Sequence, residues 1–224
     1  MHPILSIVIP VLNEAAGIAD TLAALAPLRT RGVQVIVVDG GSTDGTVALA
    51  TPWADAVIAA PCGRARQMNA GAALACGDIL LFLHADTQLP PMADQQVLDG
   101  LLQSDWGRFD VTIVGAPRML RLVALLMNLR SRWSGIATGD QAFFMRRTVF
   151  DAVGGFPDQP LMEDVEISRR LRTVSRPVCL RSKVRTSGRR WESRGVWSTI
   201  FLMWRLRWRY WRGEPAAALA GSYR

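Results

Sequence analysis

The sequence has no run of about 18 apolar residues, the length a helix needs to span a bilayer. Its most apolar stretches, Met119 to Leu129 and Val196 to Trp204, are short and flanked by arginine, and fit an interface better than a span. Cysteine is scarce: Cys62, Cys76 and Cys179 are odd in number and lack the close pairing of a zinc or redox motif. A reduced compartment with the thiols buried as small hydrophobes is expected. The opening MHPILSIVIPVLNE has neither the basic region nor the small-residue cleavage site of a secretion signal, so the sequence predicts a cytoplasmic protein. Two familiar phosphate loops are also missing. No G-x-G-x-x-G occurs, and Gly45 is followed by Thr46 where a P-loop needs lysine. The IPVLNEAAG segment after the first strand lacks the glycine-rich basic loop expected of a nucleotidyltransferase. No repeat, low-complexity tract or linker divides the chain.

What remains is ordinary globular material. Of 224 residues, 50% are hydrophobic and 20% charged, enough for one domain with a buried core. The formal net charge of +7 points to an anionic partner: a phosphorylated ligand, an anionic membrane surface or nucleic acid.

Strand and helix signals alternate through the first half. LSIVIPVL (Leu5 to Leu12) and VQVIVVD (Val33 to Asp39) are β-branched runs of strand length. Asn13 is a candidate N-cap for a helix carrying Ile18, Leu22 and Leu25. A helix from about Arg64 to Cys76 leads into the strand DILLFLHAD. Continuous hydrophobic strands separated by helices predict a parallel sheet covered on both faces, with ligands at the carboxyl ends of its strands, where Asp39 and Asp86 lie. Beyond it, FDVTIVG and QAFFMRR read as strands around the amphipathic RMLRLVALLMNLRSRW, and MEDVEISRRLR reads as a helix.

Three segments could carry chemistry. VDGGSTDGT, with Asp39 at a strand end, suits close backbone approach to a ligand, and equally a tight strand-to-helix turn. Arg64 and Arg66 occupy the first turn of a helix, where the dipole disfavours cations unless they meet an anion. His84 and Asp86, one residue apart on an extended chain, would share a face and suit a divalent ion.

In this order and at these separations, SIVIPVLNE, VDGGSTDGT and GRARQMNAGAALACGDILLFLHADT closely resemble the nucleotide-binding half of family 2 glycosyltransferases, inverting enzymes of the GT-A fold. TGDQAFFMRR, GGFPDQPLMEDVEISRRL and SGRRW extend the resemblance over most of the chain. The nearest likeness is to a small bacterial subgroup described as radical-SAM- or selenodomain-associated. The resemblance implies an α/β GT-A domain with a mostly parallel sheet flanked by helices. It divides the chain into a nucleotide-binding half at 1–90, an acceptor and catalytic half at 91–194, and a basic aromatic helix and tail at 195–224.

It also implies roles. Pro10, Asn13 and Glu14 match the first nucleotide-contacting segment, Asp39 the acid that recognises base or ribose, and Arg66 and Asn69 the segment lining the nucleotide. Asp86 matches the last acid of the family's DxD, which holds Mg²⁺ or Mn²⁺ through the donor diphosphate. His84 replaces the first acid, which leaves open weaker metal binding, a changed metal preference or changed donor contacts. Asp164, with Glu163 beside it, matches the catalytic base that inversion requires on the far side of the anomeric carbon. Gly139, Asp140 and Gln141 match the acceptor-side segment. Arg190 and Trp191 match the end of a QxxRW motif that here lacks its glutamine, Arg190 for the diphosphate and Trp191 for sugar or acceptor.

The implied donor is a nucleoside diphosphate sugar, a UDP-sugar ahead of a GDP-sugar, with the acceptor unidentified. The altered HAD and RRW segments leave a second reading: a noncatalytic nucleotide-sugar-binding or membrane-surface protein. The tail WSTIFLMWRLRWRYWRG interleaves tryptophan and arginine. It suits docking on the cytoplasmic face of an anionic membrane, or packing of Phe201, Trp204 and Trp208 on the domain, ahead of nucleic acid.

Overall fold

The computed structural model describes residues 3–222; residues 1, 2, 223 and 224 of the expected domain lie outside them. Strand β1 (Leu5–Val11) is buried at every position, as its β-branched run requires of a strand covered on both faces. After α1 (Ile18–Ala23) and α2 (Ala26–Arg29), β2 (Gln34–Asp39) pairs parallel to β1, from Ser6↔Gln34 to Val11↔Asp39. Helix α3 (Thr46–Ala50) leads to β3 (Ala56–Ala59), parallel to β2, and α4 (Arg64–Leu74) returns the chain to β4 (Ile79–Phe82) on the other side of β1. Winding therefore reverses at β1, which opens a crevice at the carboxyl ends of β1 and β4, the usual ligand position in an open α/β sheet.

The second half closes the sheet. It contains β5 (Thr87–Gln88), α5 (Ala93–Gly100), β6 (Trp106–Val114), α6 (Met119–Ser134), β7 (Phe143–Arg146), α7 (Arg147–Ala152), α8 (Glu163–Val174) and β8 (Val178–Ser187). Helices α9 (Arg189–Arg194), α10 (Val196–Trp211) and α11 (Ala216–Ala220) follow. The eight strands run β3-β2-β1-β4-β7-β6-β8-β5, with β7 antiparallel to both neighbours and β5 antiparallel to β8.

Alternation along the strands splits the core between the two faces. Ile7, Ile9, Val35, Val37 and Leu81 face α1, α5 and α6, whereas Val8, Ile36, Val38, Leu80 and Phe82 face α4, α7 and α8. A third cluster, Leu161, Met162, Leu206 and Leu219, ties α10 and α11 to the start of α8. Gly71 lets α4 lie on the sheet: a Cβ there would stand 2.3 Å from Val8 Cγ1. Pro10 lies beyond the last β1–β4 partners, Val8↔Phe82, so its missing N–H costs no ladder bond on that side.

Four expectations need correction. Asn13 does not cap a helix; it has φ 54°, and α1 begins at Ile18 after Gly17. The strand through HAD ends at Phe82, and His84 to Thr87 form a turn closed by the Thr87 N–H to the His84 carbonyl at 3.1 Å. Cys62 and Cys76 are exposed and Cys179 is half-buried, so none of the thiols is core. Phe201, Trp204 and Trp208 do not pack on the domain: they are 63%, 66% and 57% exposed, because α10 docks through Leu206 and Thr199 instead.

Candidate active site

The crevice at the reversal is a cleft of about 980 Å³. Its floor is built by the ends of β1 and β4. The Gln67 amide on α4 donates to both the Val11 and Val38 carbonyls at 2.8 Å, closing the strand ends and leaving Pro10 and Glu14 on the cleft wall. Asn13 stitches the β1 and β2 loops: its N–H donates to Ser42 Oγ at 2.9 Å, and its Oδ1 accepts the Thr43 N–H at 2.9 Å. The Asp39 carboxylate is taken up by its own loop, accepting the N–H groups of Gly41 and Ser42.

Although HAD is a turn, His84 and Asp86 both line the cleft. His84 Nδ1 lies 3.2 Å from Asp140 Oδ1. Gly139 lies flat against the other edge of the ring, where a Cβ would come within 2.3 Å of Nε2. Burial works to raise the Asp140 carboxyl, but the hydrogen bond to His84 and the charges of His84, Arg64 and Arg207 outweigh it and hold it below the usual carboxylate range. Asp86 is 3.7 Å from Arg189, which also meets Glu14 at 2.8 Å. Arg189 thus bridges the ends of β1 and β4 from the start of α9.

Opposite stands the acid pair at the start of α8, entered through Met162 at φ 64°. The left-handed residue turns the chain so that Asp164 faces the cleft while Glu163 is buried. Asp164 Oδ2 accepts the Gly139 N–H at 3.2 Å and Oδ1 its neighbour Val165 N–H at 2.8 Å. Burial, and then the charge of Asp164, push the Glu163 carboxyl up against the opposing charges of Arg64 and His84.

Of the residues expected in the site, Pro10, Glu14, His84, Asp86, Gly139, Asp140, Asp164, Arg190 and Trp191 line the cleft. The others hold the framework. Arg66 points outward to Asp158 at 2.7 Å, and Arg64, two residues earlier, takes the cleft position. Asn69 clasps the backbone of Phe156 with both ends of its amide. Gln141 is buried and bonds Thr138 and Asn128. Sequence reasoning missed Gln67, Arg189, Arg130 and Arg207, all on the cleft wall. The first two lie within the quoted GRARQ and SGRRW segments, whereas Arg130 and Arg207 gain their place only through the packing of α6 and α10.

The sequence matches the Glycosyl transferase family 2 model over residues 6–157. The chain belongs to glycosyl transferase family 2. The match stops before α8 and does not cover the acid pair. A probable glycosyltransferase of Bacillus subtilis, YdaM, is 26% identical to this family 2 chain over 97% of its length and 56% of the relative's. A PGL/p-HBAD biosynthesis glycosyltransferase of Mycobacterium bovis is 30% identical over 69% of the chain and 63% of the relative. The chain thus spans little more than half the length of these curated relatives. Among solved structures, residues 1–349 of S. aureus TarS in complex with UDP-GlcNAc superpose with TM-score 0.67 at 19% identity, covering 82% of this chain and 58% of that one. The Pyrobaculum calidifontis mannosyltransferase PcManGT, in complex with GDP-Man and Mn²⁺, gives 0.65 at 21% identity over 92% and 61%. The fold is the expected GT-A fold.

Among the described residues no three His, Cys, Asp or Glu side chains converge as a metal cage. A divalent ion shared with substrate phosphates needs only one or two protein carboxylates. Asp86 fits that requirement. His84 beside it has Nδ1 engaged with Asp140 and Nε2 over Gly139.

Proposed function

We propose that this chain is an inverting glycosyltransferase that moves a sugar from a nucleoside diphosphate sugar, a UDP-sugar ahead of a GDP-sugar, to an acceptor hydroxyl. One observation carries the reading: Asp164 lines the same cleft as Asp86, Arg64 and Arg190. The acceptor oxygen gives its proton to Asp164 and attacks the anomeric carbon in line as the bond from that carbon to the diphosphate oxygen breaks. A single displacement inverts the centre. Arg64 and Arg190 meet the charge appearing on the leaving diphosphate. Mg²⁺ or Mn²⁺, held by Asp86, would supply further neutralisation of that charge. Trp191 flanks sugar or acceptor, and Asp140, oriented by His84, receives an acceptor hydroxyl.

Residues 1–90 serve the donor and 91–194 the acceptor and catalysis, while α10, in the basic aromatic segment 195–224, walls the cleft. No helix among the described residues is long and apolar enough to cross a membrane. The exposed aromatic face of α10 supports peripheral docking on an anionic membrane, which would present a lipid-linked acceptor.

Calorimetric titration of UDP, GDP and dTDP, with and without Mn²⁺, tests the donor side. Metal-dependent binding of one nucleotide, lost in Asp86→Ala, is expected. Binding of none of them by folded protein would sink the reading and favour a degenerate site.

A further inference from the structure

Two helices wall the side of the cleft away from the β1 and β4 loops, and each offers it the same pattern. On α6 the cleft-facing residues are Val123, Leu126, Met127 and Arg130; on α10, beside Thr199, they are Ile200, Met203, Trp204 and Arg207. Each set runs i, i+3, i+4, i+7, a single helical stripe that is apolar for most of two turns and then cationic. The two cationic ends adjoin. Burial pushes the Arg130 guanidinium down to about 10, with the charge of Arg207 adding to the effect and that of Asp164 opposing it. Nε and one terminal nitrogen of Arg130, and Nε of Arg207, are buried without a hydrogen-bond partner.

Neighbouring buried cations with unsatisfied donors are costly to keep, and an anion entering between them would relieve both the repulsion and the missing hydrogen bonds. The donor diphosphate is the lesser candidate. Arg189 stands 3.7 Å from Asp86, Arg64 and Arg190 line the same cleft, and a nucleoside has no use for two turns of largely apolar wall leading to Arg130 and Arg207. An arginine fork suits a phosphate, and the stripes suit a chain of methylenes.

We propose that Arg130 and Arg207 form a phosphate subsite for an amphiphilic acceptor, whose apolar chain lies along the two stripes and whose hydroxyl is thereby brought to Asp164. The assignment rests on the glycosyltransferase reading above, and it gives the lipid-linked acceptor of that reading a phosphate and a place in the cleft. The same phosphate chemistry could arrive on a lipid or as free phosphate, and the stripes commit the site to the lipid.

The test is calorimetric titration of the full chain with octyl phosphate, the neutral octyl tetraethylene-glycol ether and inorganic phosphate, all below micelle-forming concentrations, with UDP titrated in parallel. Octyl phosphate should bind at least about tenfold more tightly than either control, and Arg130→Gln and Arg207→Gln should each weaken it about tenfold while UDP affinity is unchanged. Equal binding of the neutral ether, or of inorganic phosphate, would overturn the proposal. So would a double variant that keeps octyl phosphate and loses UDP, since the arginines would then serve the donor. A wild type that binds octyl phosphate and no nucleotide defeats the donor reading and leaves the subsite standing; the converse defeats the subsite alone. Arg130→Met, which removes an unpaired buried cation, should hold or raise the melting midpoint by about 2–4 °C. A fall of that size would mark Arg130 as a structural residue and count against a ligand-binding one.

Discussion

At the scale of single residues, the acid pair divides its labour by exposure. Asp164 faces the cleft and Glu163 does not, so Asp164→Asn should lower kcat by about 10²- to 10⁴-fold with UDP affinity unchanged, as single-turnover rates and calorimetry would read. A larger loss in Glu163→Gln than in Asp164→Asn would reverse the roles. Glu163 also makes a prediction about pH. Its folded pKa is raised, so its contribution to stability is fully present below the unfolded value and is lost as pH rises through the folded one. The melting midpoint of Glu163→Gln should therefore gain on wild type as pH is raised from about 4 to 7. A gap that stays constant or narrows would show that Glu163 is not held protonated by its surroundings. Gly139 is the tightest point: its missing Cβ is the space occupied by the His84 ring. Gly139→Ala must displace the imidazole or the 139–141 turn, and a loss of about 1–3 kcal/mol in urea unfolding is expected.

At the scale of elements, α6 is fastened to the sheet by a buried ion network. Arg108 on β6 is fully buried, bonds Asp110, and donates to the Asn128 carbonyl of α6 at 3.1 Å; Asp110 also accepts from Arg132 of α6 at 2.6 Å. Asp110→Ala strands the Arg108 charge and should cost about 3–5 kcal/mol, whereas Arg108→Met with Asp110→Leu should recover most of that. A double variant no more stable than Asp110→Ala would show that shape, and not charge, holds the two elements. The same network shows where sequence stops being informative. Strands β1 and β2 were readable because every position but Gln34 is buried and the runs are rich in β-branched residues. Strand β8 went unread because only Val184 and Thr186 are buried, so the alternation of Arg181, Lys183 and Arg185 with Ser182, Val184 and Thr186 carries a single hydrophobic residue and no apolar run marks it. Motif order located the cleft segments, yet it favoured Arg66 over Arg64, because which arginine turns inward depends on Asp158 capturing the other. Arg130 and Arg207 belong to no motif; they meet only once α6 and α10 are packed.

At the scale of the molecule, the two helices that wall the cleft also carry many of the exposed large hydrophobic side chains. On α6, Leu122, Leu125, Leu129 and Trp133 are at least half exposed, Trp133 at 92%; on α10 and its end, Trp197, Phe201, Trp208 and Trp211 are too, Trp211 at 81%. Scattered exposed hydrophobes need no explanation, but two helices each carrying such residues among arginines, on a chain of net charge +7, suit an anionic bilayer surface. Each basic residue near such a surface contributes about 1 kcal/mol at low ionic strength, and the tryptophans add a salt-independent part. The full chain should therefore cosediment with vesicles containing phosphatidylglycerol and far less with neutral ones. Raising salt from about 0.05 to 0.5 M should weaken binding sharply without abolishing it, since the Debye length shortens severalfold while the apolar part persists. Trp133→Ala with Trp211→Ala should remove about tenfold of partitioning at either salt, leaving UDP affinity intact. Binding that vanishes entirely in high salt would reduce the face to a charge patch. Equal binding to neutral vesicles would remove the arginines from the account, and no binding to either would leave the α6–α10 surface without a membrane role.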